Sequence, residues 1–320
     1  MIAALLLAAT LLAEPVPESP GAAAYREGRW DEAATLLAAE NAAQPTYAGL
    51  LALGLAEGRR QRFVEARAAF DRAVALDPAR AEAWLERGGL SFLEKQYPAA
   101  VADLQRALER TPDEYTRDLL ASALHLAGRS DEALGQWNRL GRPLAGQVEL
   151  SGLQHTRETL VRDELAFQPG RLLRLSELRE SRLRLNELGI FDRITVRPVP
   201  RSGGSADVQV AAVERHGLFS SPLDAGLSLG VGAVQRRVQL RYSNLGGRGV
   251  NLSGRYRFAP HQPELVLEGD WARPFGLPGV LRLKGARGEQ PYEADGAFRA
   301  RSRGARAAFR HVLGKRGVLE

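Results

Sequence analysis

The 320 residues contain no cysteine. That absence excludes disulfides, thiolate metal sites, a cysteine nucleophile and a lipidated N-terminal cysteine. Long apolar runs are also missing. The longest stretch of apolar and small residues, Ile2 to Ala13, is shorter than the roughly 20 residues a membrane-spanning helix needs. The five histidines, His125, His155, His216, His261 and His311, are scattered and form no HExxH pair. No G-x-S-x-G serine elbow exists. "GLSLGVG" lacks the third glycine and following helix of a dinucleotide site, and "GGRG" lacks the lysine of a phosphate loop. Carboxylate pairs such as Asp31–Glu32 and Asp131–Glu132 suit the first turn of a helix. The expectation is therefore a protein without catalytic, cofactor or metal residues.

The net charge of +6 is modest. It gathers late, with ten Lys/Arg against three Asp/Glu between Arg282 and Arg316. These arginines alternate with small and apolar residues and lack an aromatic stacking platform. A polar sheet face explains them better than a nucleic-acid partner. At the other end, the run Ile2 to Ala13 followed by "EPVPES" matches the core of a secretory signal, with residues 1–13 removed. The positive residue that usually precedes such a core is absent, and a buried first helix is the competing reading.

An internal repeat follows. Trp84, Gly88, Ala100, Leu104, Ala107 and Pro112 recur thirty-four residues earlier as Leu50, Gly54, Ala66, Phe70, Ala73 and Pro78. Small residues mark where two antiparallel helices cross closely, large ones fill the space between, and proline ends the second helix. "GRWDEA" (28–33) and "GRSDEAL" (128–134) look like the second helices of flanking copies. Residues 20–142 resemble a tetratricopeptide-repeat array, which implies a scaffold for a peptide or partner helix. Leu51, Leu55, Leu85 and Phe92, on the first helices of the two clear units, are the candidate groove positions. Coverage by neighbouring helices is the alternative.

In "NELGIFDRITV" (186–196) the periodicity changes from helical to alternating at Gly189. Around it the order is a strand near 146–153, a helix from Thr156 to Leu165, a helix capped by Ser176, a strand from Ile194, and a strand at 207–214, with "RSGGSA" as the hairpin loop. This order over 146–215 resembles a POTRA domain, the small α+β polypeptide-transport module. The resemblance implies a sheet edge at Ile194, Thr195, Val196 and Arg197 that pairs with an incoming strand.

From Leu218 onward, alternating stretches of about ten residues are separated by Gly, Pro and Asn, the pattern of a transmembrane β-barrel. Val238, Leu240 and Tyr242 share one face, as do Val250, Leu252, Tyr256 and Phe258. Tyr242 and Trp271 fall where an aromatic girdle would sit. A soluble sandwich alternates too. Together with "YSNLGGRGVNLSGRYRF" (242–258), the chain resembles the BamA/TamA-type outer-membrane assembly family. It departs from that family in having one POTRA unit and no arginine-glycine-aromatic lid motif. The 103 residues from Leu218 to Glu320 admit roughly six or seven strands, so an incomplete barrel segment is expected.

The expected whole is multidomain: signal peptide 1–13, an all-α repeat array 20–142, a POTRA-like domain 146–215, and the N-terminal part of an antiparallel barrel from 218 to 320. The resemblance implies an outer-membrane location with the N-terminal domains in the periplasm. It also implies capture and insertion, or translocation, of unfolded outer-membrane or secreted proteins. The expected partners are those clients, outer-membrane lipid and a periplasmic partner protein. Two alternatives stay open, a periplasmic adaptor without insertion activity and a dedicated secretion pore.

Overall fold

The computed structural model describes residues 19–215, 226, 230–258, 262–291, 299–313 and 317–319. The expected signal segment lies outside the described residues. The chain divides into two compact units, 1–141 and 142–320.

Among the described residues, the first unit is four antiparallel helix pairs: α1 (Pro20–Arg26) with α2 (Trp30–Ala43), α3 (Tyr47–Arg59) with α4 (Phe63–Leu76), α5 (Glu82–Leu93) with α6 (Tyr97–Arg110), and α7 (Glu114–Leu126) with α8 (Ser130–Arg139). Side-chain oxygens cap three first helices: Ser19 accepts from Ala22 N, Thr46 from Gly49 N and Asp113 from Thr116 N. Within each pair the chain reverses through one left-handed residue, at Gly28, Gln61, Lys95 and Gly128. Three second helices stop at an extended residue, Gln44, Asp77 or Thr111, because proline follows and its ring excludes the helical conformation there. Packing within the pairs is equally regular. A Cβ on Gly21, Gly54 or Gly88 would lie within 3 Å of Leu37, Phe70 or Leu104 respectively.

The inner face of this unit holds one unusual group. Glu86 on α5 is buried, and burial pushes its carboxyl up to about 7, with the Arg59 charge opposing. The Tyr25 and Tyr115 phenols, from α1 and α7, are raised by burial, and Glu86 adds to both. The folded state thus binds the Glu86 proton more tightly than the unfolded chain, whose carboxyl titrates near 4.5. Its stabilising contribution is retained at low pH and lost as pH rises from about 4.5 to about 7. Glu86→Gln should therefore stabilise the array above pH 7 by up to about 3 kcal/mol and leave stability below pH 4 unchanged. Urea unfolding across pH measures this; a destabilised variant at high pH would show that the carboxylate is needed.

In the second unit, β1 (Leu144–Ser151), α9 (Glu158–Asp163), α10 (Leu175–Glu187), β2 (Phe191–Pro200) and β3 (Ser205–Glu214) form an α+β domain. The sheet order is β1-β3-β2, with β1 parallel and β2 antiparallel to the central β3. Val208, Val210 and Val196 are buried with Leu160, Leu178 and Leu185 of the helices. Gly189 ends α10 with φ +64°, and its N–H donates to Asn186 O. Two expected helix starts are corrected. Ser176 lies inside α10, because Glu177 turns back to accept from Arg174 N and fixes the start there. Thr156 lies outside α9, its backbone N–H held by Glu214 at 2.8 Å.

An antiparallel meander follows: β4 (Arg237–Tyr242), β5 (Val250–Arg257), β6 (Glu264–Ala272), β7 (Val280–Pro291), β8 (Arg299–Leu313) and β9 (Gly317–Leu319), paired in chain order. Among the described residues β4 and β9 are its edges, and no β4–β9 pairing closes it. The alternating "LDAGLSLGVG" lies partly outside the described residues. Its end is helical instead, with Gln235 N donating to Val231 O. No described helix is long and apolar enough to cross a membrane.

Candidate functional site

The four groove candidates separate by burial. Leu51 and Leu55 are 2% and 1% exposed, closed over by Tyr25 of α1 and Leu85 of α5. They are core rather than groove, because they belong to the buried cluster that α3 shares with α4 and α5. Leu85 and Phe92 are half-buried, and Phe92 packs edge-on against Tyr97 at 5.8 Å. These two keep part of their surface open.

The β2 edge is resolved by its register. Arg201 N donates to Ser205 O at 2.8 Å, so that pair is hydrogen-bonded. Pairing then runs without slip from Pro200↔Ala206 to Arg193↔Val213. Bonded and open pairs alternate in an antiparallel ladder. Thr195 and Arg197 therefore aim their backbone groups at β3, while Ile194, Val196, Pro198 and Pro200 aim theirs outward. The prolines have no N–H to offer, and the Arg182 guanidinium of α10 donates to Val196 O at 2.6 and 3.0 Å. Prolines and a covering side chain blunt an edge against uncontrolled pairing. Between residues 194 and 200, the outward donors are the N–H groups of Ile194 and Val196.

This divides the four candidates into two roles and gives a paired test. Thr195→Pro removes a ladder bond to β3 and should cost the domain about 2–3 kcal/mol. Ile194→Pro removes an outward donor and should leave the ladder intact while weakening crosslinking of extended peptides to β2. Unchanged crosslinking in a folded Ile194→Pro variant would show an idle edge.

The meander has two chemically distinct faces. Register sets Val238, Tyr256 and Leu265 in one row, Leu240, Gly254, Leu267 and Gly285 in the next, then Tyr242, Leu252, Gly269 and Leu283. Trp271, Leu281 and Phe309 continue the same face. Leu240, Leu252, Leu267 and Leu283 are 44%, 46%, 56% and 51% exposed, and no described element covers them. On the opposite face, direct cross-strand partners are ion-paired: Arg282 with Asp270 and Lys284 with Glu268, both at 2.8 Å, and Arg257 with Glu264 at 3.1 Å. Opposite charges at opposed positions stabilise a sheet. Tyr242 and Trp271 stand at the strand ends beside the two turns, with Phe275 5.0 Å from Trp271.

Those turns dock onto the α+β domain. Asn244, left-handed at φ 57°, donates from Nδ2 to Thr156 Oγ1 at 2.7 Å and accepts from Gly249 N. Asn251 Nδ2 donates to Leu188 O, and Arg157 N donates to Gly247 O. A Cβ on Gly247 would fall 2.0 Å from His155 O, so only glycine permits this approach. Arg273 in the second turn donates to Asp163 O and Glu164 Oε1. Burial pushes the Glu164 carboxyl up, with Arg273 opposing. A cleft of about 550 Å³ lined by Gly152, His155, Glu214, Tyr242 and Asn244 runs along this joint. Sequence reading missed the joint; the repeated left-handed turn residue before a glycine-rich stretch was its one local signal.

Residues 55–125 match the tetratricopeptide repeat family. Residues 143–215 match the POTRA family, described as surface antigen variable number repeat. No curated protein matches the chain. Among solved structures, MamA is similar at 24% identity and a TM-score of 0.37, over 38% of this chain and 72% of its own. BamA from Haemophilus ducreyi lacking POTRA domains 1–3 is similar at 14% identity and a TM-score of 0.34, over 52% of this chain and 32% of its own. The chain thus joins a tetratricopeptide-repeat array to a POTRA domain and a β-sheet region. Both recognised modules are of kinds that bind other proteins.

Proposed function

We propose that the chain is an outer-membrane assembly or translocation factor of the BamA/TamA type. The observation that carries this reading is the two-faced meander joined directly to a POTRA domain. An exposed apolar face opposite an ion-paired face suits a sheet with lipid on one side and a polar interior on the other. Residues 1–13 direct export, and the repeats and POTRA domain work in the periplasm. They hold an unfolded client while its strands pair and enter the bilayer. The chain acts without bond chemistry of its own, and client folding into lipid supplies the driving force. Unpaired sheet edges are costly in lipid, so in a bilayer the outer sides of β4 and β9 have to be covered.

Fractionation tests the reading. The protein should resist carbonate extraction from outer membranes and require detergent to stay in solution. Release by carbonate as a stable soluble species would favour the periplasmic adaptor instead. Depletion should lower many outer-membrane proteins together; loss of a single exported protein would favour a dedicated secretion pore.

A further inference from the structure

We propose that Arg287 and Arg303 form a binding site for the phosphate of an anionic lipid headgroup, at the end of the apolar face remote from the POTRA domain. The proposal rests on the membrane reading above. Arg287 of β7 and Arg303 of β8 are direct cross-strand partners, and both are exposed. Their Cβ atoms are thus about 5 Å apart on one face, where like charges repel and cost stability. The other β7 cations have an acid opposite them on β6: Arg282 faces Asp270, and Lys284, although it meets Arg306 on β8, faces Glu268. Arg287 meets Leu265 on β6 instead, so neither neighbouring strand sets an acid opposite it. Glu289, one position further out on the same face, is engaged by Arg301 at 2.9 Å. Neither Arg287 nor Arg303 makes an ion pair among the described residues.

A phosphate between two guanidinium forks turns this repulsion into charge-assisted hydrogen bonding to both. The position selects a lipid over a free ion. Both arginines lie on the apolar face, directly beyond Leu283 and Gly285 on one strand and Ala305 and Ala307 on the other. The apolar stretch is also short here, from Leu281 to Gly285, against Val250 to Tyr256 on β5. Long arginine stems beside a short apolar stretch carry their charges to the headgroup layer.

The test uses the full chain and flotation with phosphatidylcholine vesicles, with or without phosphatidylglycerol. The protein should prefer the anionic vesicles. Arg287→Gln/Arg303→Gln should lose roughly 30-fold of that preference, about fivefold for each charge. Removing mutual repulsion should leave the fold intact, which the unfolding temperature checks. Arg306→Gln, an exposed arginine on the opposite face, should keep the preference. Equal flotation with both vesicles, or an equal loss in Arg306→Gln, overturns the site and leaves the membrane reading standing. Flotation with neither vesicle overturns both. Thermal protection by inorganic phosphate equal to that by anionic lipid overturns the lipid as ligand.

Discussion

Leu267→Arg should shift the protein out of the membrane and weaken its fold in lipid by about 2–4 kcal/mol, the cost of a cation on a lipid-facing strand near mid-bilayer. Leu267 sits in the middle of the apolar face, between Gly254 on β5 and Gly285 on β7. At 56% exposed it is the most open of the leucines named on that face. On a soluble sheet the same change would cost almost nothing, because a surface substitution away from special features stays within about 0.5 kcal/mol. Ser253→Arg supplies the contrast. Ser253 is on the polar face, between Glu268 on β6 and Arg241 on β4, where one more cation stays among charged groups and out of the apolar layer. The two variants should differ by roughly 30-fold or more in retained membrane fraction. Equal retention would mean that the apolar face does not meet lipid.

What the sequence disclosed depends on how local each cause is. The helix pairs were legible because glycine, alanine and proline act within their own turn, so Gly54 and Pro78 announce a crossing and a stop. The β-α-α-β-β order was legible for the same reason, with Gly189 marking the change of period. Groove positions were not. Whether Leu51 and Leu55 face a ligand depends on Tyr25 and Leu85, which arrive from other helices. The β2 edge was placed as a block from Ile194 to Arg197, but only the Arg201–Ser205 bond fixes which residues face outward. Likewise, alternation assigns Arg287 and Arg303 to a face, and pairing alone shows them opposed. The helix ends misread at Thr156 and Ser176 were overruled by Glu214 and Glu177, carboxylates that claim the backbone N–H groups there.

Phe70→Ala should be the most damaging single change in the repeat array, costing about 3–5 kcal/mol. Its ring is fully buried in the core that joins α3, α4 and α5. Alanine would leave a ring-sized cavity that the helix backbones cannot collapse to fill. The neighbouring glycine gives the measurement its sharper form. Helix propensity alone favours Gly54→Ala by roughly 1 kcal/mol. In the native array, however, the new Cβ would lie 2.4 Å from the Phe70 ring, and overpacking costs about 1–3 kcal/mol. Gly54→Ala should therefore destabilise the native protein. With Phe70 already replaced by alanine the obstacle is gone, and the same substitution should stabilise. Gly89→Ala is the control, since a Cβ there meets nothing within 4 Å and should stabilise in both backgrounds. Urea unfolding followed by the helical signal reads all of these. If Gly54→Ala has the same sign with and without Phe70, the ring is not what holds the α3–α4 crossing at its distance.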